Sequence, residues 1–189
     1  MMRGQYNLSD YNLPEVRVKL CESGCLYSAE PVSSPYAAVM LLAKELQSLD
    51  REELLVLNLN TKNKVINYHL VSMGSIDKSL APVASLVKTG ILSNASSFIM
   101  MHNHPSGEPR PSNEDIAVTK KMLLVGKLLE MPLVDHVIVG GGTGNIYSFR
   151  ENYPDIFADM RLDLGAVENG LPGLQNRGKR KLAANTAPV

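Results

Sequence analysis

Two histidines two positions apart, His102 and His104, close an apolar run, and Asp115 follows after ten intervening residues. No other stretch limits the fold as tightly. Residues i and i+2 of a strand project to the same side. If Ser97-Phe98-Ile99-Met100-Met101 is a buried strand, both imidazoles leave its end on one side. Pro105, Gly107, Pro109 and Pro111 then force a shaped loop rather than a helix. Ser112 reads as the N-cap of the next helix, with Asp115 at the capping-box position. Two imidazole nitrogens and one carboxylate, with a fourth position left for water, are the ligand pattern of a catalytic zinc site. A lone H-x-H is a weak signal, and Ser112 and Asp115 also fit a purely capping role. The agreement of strand, loop and helix is what raises the metal reading above that one.

The flanking chain reads as alternating strands and helices. Pro35 directly after Ser34 suits the first helical position behind an N-cap, and residues 37–49 carry a broad apolar helical face. Leu54–Leu59 is a strong strand, Asn60-Thr61-Lys62-Asn63 a turn, and Val65–Ser72 the return strand of a hairpin. His69 on that return strand is either a further ligand or, more ordinarily, a residue satisfied by a hydrogen bond. Gly74 sits where the strand gives way to a second helix, from about residue 81 or 82 to 93. Its role is a backbone conformation that other residues resist. Residues 114–130 form an amphipathic helix that ends at Met131-Pro132. Leu133–Val139 is an apolar strand interrupted by Asp135 and His136. Buried there, the two need partners: they orient a metal ligand from behind, or they satisfy each other and nearby backbone. The run Gly140-Gly141-Gly142-Thr143-Gly144-Asn145 lacks the Lys-Ser/Thr of a phosphate loop and leads into a strand, Ile146–Phe149, so it reads as a hairpin loop.

The ends of the chain are less informative. Residues 12–20 alternate apolar and polar from Val16, as in a half-exposed edge strand. Residues 155–162 suggest a short helix, and from Gly165 on the composition is that of a tail ordered only by a partner, if at all. The division that follows is an N-terminal strand and loop extension over 1–34, a metal-binding domain over 35–153 and a tail over 154–189. Cys21 and Cys25 cannot complete a structural zinc site alone and read as free cytosolic thiols. No apolar run is long enough to span a membrane. The polar first ten residues carry no secretion signal, so the cytoplasm is the expected compartment. Nineteen Lys and Arg balance nineteen Asp and Glu, which withholds the footprint of a dedicated nucleic-acid binder. Only Arg177, Lys179, Arg180 and Lys181 lean basic.

The segment His102-Asn103-His104-Pro105-Ser106-Gly107, with Pro111-Ser112 and Asp115, resembles the JAMM/MPN metalloprotease signature in its RadC-like JAB form. Leu57–Asn63, Val71–Ser75 and Leu133–Gly140 resemble further segments of that family, so the likeness spans about residues 35–150. The letters H-N-H are not those of an HNH nuclease, whose residues are spread over a hairpin and a helix. The resemblance implies an α/β, cytidine-deaminase-like JAB/MPN fold with a mixed central sheet flanked by helices on both faces. It implies Zn2+ on His102, His104 and Asp115, and Ser112 as a donor to the oxyanion of a tetrahedral intermediate. It further implies a glutamate just ahead of the hairpin as general base. Glu52 and Glu53 point to opposite faces of the sheet, so at most one reaches the metal. The local match favours Glu52, and a one-residue slip would move the role to Glu53. The family's His-Pro-Arg-Glu run at the second helix is replaced by Pro82-Val83-Ala84-Ser85, which puts carried-over substrate or partner contacts in doubt. The implied reaction is hydrolysis of a peptide or isopeptide bond in a peptide or protein substrate. The RadC name carries a competing expectation, a DNA-repair or mobile-element accessory that uses the fold for binding.

Overall fold

The computed structural model describes residues 17, 19–26, 34–73 and 82–158. Strand β1 (Glu53–Leu59) pairs with β2 (Val65–Met73) and, on its other side, with β3 (Ser97–His104), antiparallel in both cases. Strand β4 (Leu133–Gly140) lies parallel to β3, and β5 (Ile146–Ser148) is antiparallel to β4. The result is a mixed five-stranded sheet in the order β2-β1-β3-β4-β5. A parallel pair needs a crossover connection, and α3 (Asn113–Leu128) supplies it between β3 and β4.

The sheet is buried on both faces, so its middle strands are continuous apolar runs rather than alternating ones. Leu54, Val56, Phe98, Met100, Leu133 and Ile138 face one core. There they meet Leu86 and Val87 of α2 (Val83–Leu92) and Val118, Met122 and Leu123 of α3. Leu55, Leu57, Leu59, Ile99, Met101, Val137 and Val139 face the other. That second core is closed by Ala38, Val39, Leu42, Ala43 and Leu46 of α1 (Pro35–Leu46). Each large aliphatic side chain so buried contributes roughly 1.5–3 kcal/mol. This is the α/β architecture expected, a mixed sheet with helices on both faces. The even-numbered residues of β3 face α2 and α3, which puts His102 and His104 on that side.

Local chemistry explains the element ends. Ser34 caps α1 by accepting from the Ala37 N–H at 3.1 Å, with Pro35 in the first turn. The β1–β2 turn is tied by Asn60, whose side-chain oxygen accepts from the N–H groups of Lys62 and Lys64. Two expectations change. The strand read as Ile146–Phe149 stops at Ser148, because the Ser148 hydroxyl accepts from the Glu151 N–H and Phe149 opens the short helix α4 (Phe149–Asn152). Of the edge strand read over 12–20, only residues 17, 19 and 20 are described; they are exposed and belong to no strand. Beyond α4, a last turn α5 (Asp155–Ala158) ends the described chain. Gly74, the start of the 81–93 helix at residue 81 and the tail lie outside the described residues.

Gly126 tests the packing of α3 on β4. An alanine inside a helix is ordinarily favoured over glycine by about 1 kcal/mol. Here an added Cβ would meet the Met131 carbonyl oxygen at 2.7 Å and the Leu133 nitrogen at 3.0 Å. Both are backbone atoms that cannot swing away, so overpacking decides the sign. Gly126→Ala should destabilise the domain by about 1–3 kcal/mol, seen as a lower midpoint in chemical denaturation; a raised midpoint would contradict this packing.

Candidate metal centre

The strand end and the helix start converge as the spacing predicts. His102 is fully buried on β3, Asp115 is 2% exposed, and His104 is partly open, so the cluster faces solvent on the His104 side. His102 Nε2 lies 3.0 Å from His104 Nε2 and 3.1 Å from Asp115 Oδ1, and His104 Nε2 lies 3.4 Å from Asp115 Oδ2. Among the described residues, these three are the group that could hold a metal ion. Four ligands at about 2.0–2.1 Å around a tetrahedral cation stand roughly 3.3 Å from one another. The two imidazoles, and each imidazole with one oxygen of the carboxylate, thus already stand at nearly the separation a shared cation requires. The donor set of two imidazoles and a carboxylate suits such an ion.

Local bonds aim each ligand. The Ser112 hydroxyl oxygen accepts from the Asp115 N–H at 3.1 Å, and Asp115 Oδ2 accepts from the Ser112 N–H at 2.8 Å, a reciprocal capping box. The Ser112 hydroxyl also lies 2.6 Å from Oδ2 as a donor. Oδ2 is thus engaged by the cap and Oδ1 is turned to His102. The capping role weighed for Ser112 and Asp115 is real, and it coexists with the metal geometry. His104 Nδ1 is 2.9 Å from the Glu108 carbonyl, which can only accept, so Nδ1 carries the hydrogen and Nε2 faces the centre. The loop between is pinned by the N–H groups of Gly107 and Gly141, both donating to the His104 carbonyl. Gly140 must lack a side chain, since a Cβ there would strike the Gly107 carbonyl.

Behind the cluster, His102 Nδ1 is 2.9 Å from His136 Nε2. His136 Nδ1 is 2.6 Å from the Thr119 hydroxyl, which lies 2.6 Å from the Asp115 carbonyl oxygen. The His136 ring is stacked on Phe149 at 5.0 Å. The two readings of Asp135-His136 divide between the residues. His136 backs the candidate ligand His102. Asp135 instead bonds the Ser148 hydroxyl and the N–H groups of Arg150 and His136, holding the β4–β5–α4 corner.

The register of β1 and β3 pairs Leu54 with His102. Continued by two residues, it sets Glu52 opposite His104, on the same face of the sheet. The Glu52 charge acts on His104. Glu53 has the opposite parity and lies 3.3 Å from the Arg51 guanidinium. The buried Asn103, between the two histidines, holds this segment. Its side-chain oxygen accepts from the Glu53 N–H at 2.8 Å and its amide donates to the Arg51 carbonyl at 2.9 Å, bracketing Glu52. His69 pairs with Val56, away from the cluster, and is not among the three candidate ligands.

Asn103 and Thr119 escaped the sequence reading. Their signals were a polar residue on the strand face opposite the two histidines and a hydroxyl one helical turn after Asp115. At the start of α2, Pro82 makes no side-chain cap bond and no acidic residue occupies the first turn, consistent with the altered run there. No helix among the described residues is long and apolar enough to cross a membrane.

Electrostatics fit a cation. Burial works to raise the Asp115 pKa, but hydrogen bonds from His102 and His104, with that of Ser112, hold it far below the usual carboxylate range. The bond to Asp115 raises the His104 pKa, against the opposing effect of burial. Burial, with the neighbouring His102, drives the His136 pKa well down, so that ring is neutral.

A three-layer α/β domain in which one strand end and one helix start gather two imidazoles and a carboxylate defines a JAB/MPN-type fold with a candidate metal centre. The chain belongs to the RadC-like JAB domain family, whose model matches residues 32–153. Its relatives include a UPF0758 protein of Caldanaerobacter subterraneus, 42% identical over 113 residues, covering 60% of this chain and 48% of the relative. One from Clostridium acetobutylicum is 40% identical over 116 residues, covering 61% and 51%. One from Methanosarcina mazei is 39% identical over 111 residues, covering 59% and 48%. The chain thus spans about half the length of the curated relatives it matches.

A proton and a cation compete for His104 Nε2, and a raised pKa keeps the proton bound to higher pH. Affinity for a divalent ion should therefore weaken as pH falls through the histidine range, from about 8 to about 6. Chelator competition with zinc at the two pH values measures it; an affinity unchanged between them would contradict the assignment of these ligands.

Proposed function

We propose that this chain is a zinc-dependent hydrolase that cleaves a peptide or isopeptide bond in a peptide or protein substrate, within a working unit of residues 35–153. One observation carries the reading. His102 Nε2 lies 3.0 Å from His104 Nε2, and each of the two meets the Asp115 carboxylate, at 3.1 Å through Oδ1 and 3.4 Å through Oδ2, on the side of the domain that opens at His104. When bound, zinc supplies a Lewis acid that lowers the pKa of a coordinated water to about 7.

The remaining steps belong to the chain. Glu52 takes the proton of the attacking water and passes it to the leaving nitrogen. Its support is the register that puts it across from His104, and the Asn103 clamp that fixes the backbone on both its sides. Ser112 donates its hydroxyl hydrogen to the oxyanion of the tetrahedral intermediate, turning it from Asp115 Oδ2 while its oxygen still caps α3. Ser112 is exposed, which leaves it open to a bound substrate. Losing one such donor costs about 100-fold or more in rate. The exposed free thiols Cys21 and Cys25 suit the reducing cytoplasm.

The test is cleavage of a panel of peptide and isopeptide substrates with zinc, with chelator, and by Glu52→Gln and Glu53→Gln. Wild type should be active only with metal. Glu52→Gln should keep its zinc and lose about 100-fold or more of turnover, whereas Glu53→Gln should behave as wild type. Equal activity in every sample, or no metal-dependent cleavage across the panel, ends the assignment. Salt-dependent DNA binding by a zinc-free protein would favour the accessory role that the RadC name suggests.

A further inference from the structure

Thr119 and His136 touch none of the faces that a substrate or ion would meet, yet both are fully buried and both are polar. Buried polar groups must be paired, and here the pairing admits one arrangement of hydrogens. Thr119 has a single hydroxyl hydrogen. Its oxygen lies 2.6 Å from the Asp115 carbonyl oxygen and 2.6 Å from His136 Nδ1. A carbonyl cannot donate, so the Thr119 hydrogen goes to Asp115. His136 Nδ1 must then carry a hydrogen and donate it to Thr119. A ring this deeply buried, stacked on Phe149 with no carboxylate bonded to it, is neutral, which leaves Nε2 bare. Nε2 lies 2.9 Å from His102 Nδ1. That nitrogen therefore carries the hydrogen, so the neutral form of His102 has its lone pair at Nε2, the atom facing His104 and Asp115. The opposite order would set the Thr119 and Asp115 oxygens 2.6 Å apart with no hydrogen between them. It would also put a hydrogen on His102 Nε2, where a cation needs a lone pair.

We propose that this buried chain, from the Asp115 carbonyl through Thr119 and His136 to His102, fixes the His102 tautomer and makes Thr119 and His136 positioning residues for metal binding. The chain starts on one ligand residue and ends on another. It therefore couples the helix-borne carboxylate to the strand-borne imidazole, and keeps a hydrogen on His102 Nδ1, on the side of the ring away from the other two candidate ligands. The inference rests on His102, His104 and Asp115 being a metal site and is independent of any hydrolytic activity.

Two measurements on the full chain test it. Long-range proton–nitrogen NMR of 15N-histidine-labelled protein should report the Nδ1–H tautomer for His136 without metal, and for both His102 and His136 with zinc. Chelator competition should show Thr119→Val, which keeps the shape and loses the hydroxyl, binding zinc about 10- to 100-fold more weakly. Thr119→Ser should restore wild-type affinity. An Nε2–H tautomer at His136 in the wild type overturns the proposal even if the valine variant does not fold. Wild-type affinity in a folded Thr119→Val protein overturns it as well. His102→Ala separates the two levels: if that variant binds zinc as tightly as wild type, the metal site itself is wrong rather than the relay behind it.

Discussion

The reciprocal cap between Ser112 and Asp115 is the interaction on which the site depends. A helix N-terminus leaves backbone N–H groups without partners, and a carboxylate placed there is stabilised by the helix dipole. Asp115 meets that local need with one oxygen, bonded to the Ser112 N–H. The same bond fixes the rotation of the carboxylate and turns its other oxygen toward His102. One residue thus starts α3 and aims a carboxylate oxygen into the candidate metal site. That economy explains why the helix begins where the proline-rich loop ends, and why a charged residue 2% exposed is tolerated beside the core.

The sheet supplies the opposite wall. Because β3 is covered on both faces, its alternation sorts side chains between two cores: Ile99 and Met101 pack under α1, Phe98 and Met100 under α2 and α3. His102 and His104 continue the second series past the point where the apolar core ends. Asn103 continues the first, and instead of packing against α1 it ties down the segment carrying Glu52. Three consecutive polar residues thus serve two sides of the sheet without leaving a buried group unpaired.

Much of this was legible in the chain. The hairpin turn, the caps at Ser34 and Ser112 and the convergence of His102, His104 and Asp115 all follow from short-range rules, since the residues involved are neighbours or lie one loop apart. The boundary at Phe149 was not legible, because an aromatic residue suits a strand and a helix start equally until Ser148 is seen to cap. The roles of Asp135 and His136 were open for a similar reason: adjacent residues on a strand face opposite ways, and which face met the His102–His104–Asp115 cluster depended on the register of β4 against β3.

The sequence by itself determined the order of the elements from α1 to β4, the two-layer covering of the sheet and the identity of the three candidate ligand residues. These rest on periodicity, capping chemistry and spacing along one continuous stretch. Only the tertiary structure decided which groups stand behind the ligands. Thr119 reaches His136, and His136 reaches His102, across elements separated by 17 and 34 residues of chain. Such contacts arise from the packing of α3 against β4 and the pairing of β4 with β3. No local propensity encodes them, because a threonine in a helix or a histidine in a strand carries the same short-range signal whatever it comes to touch.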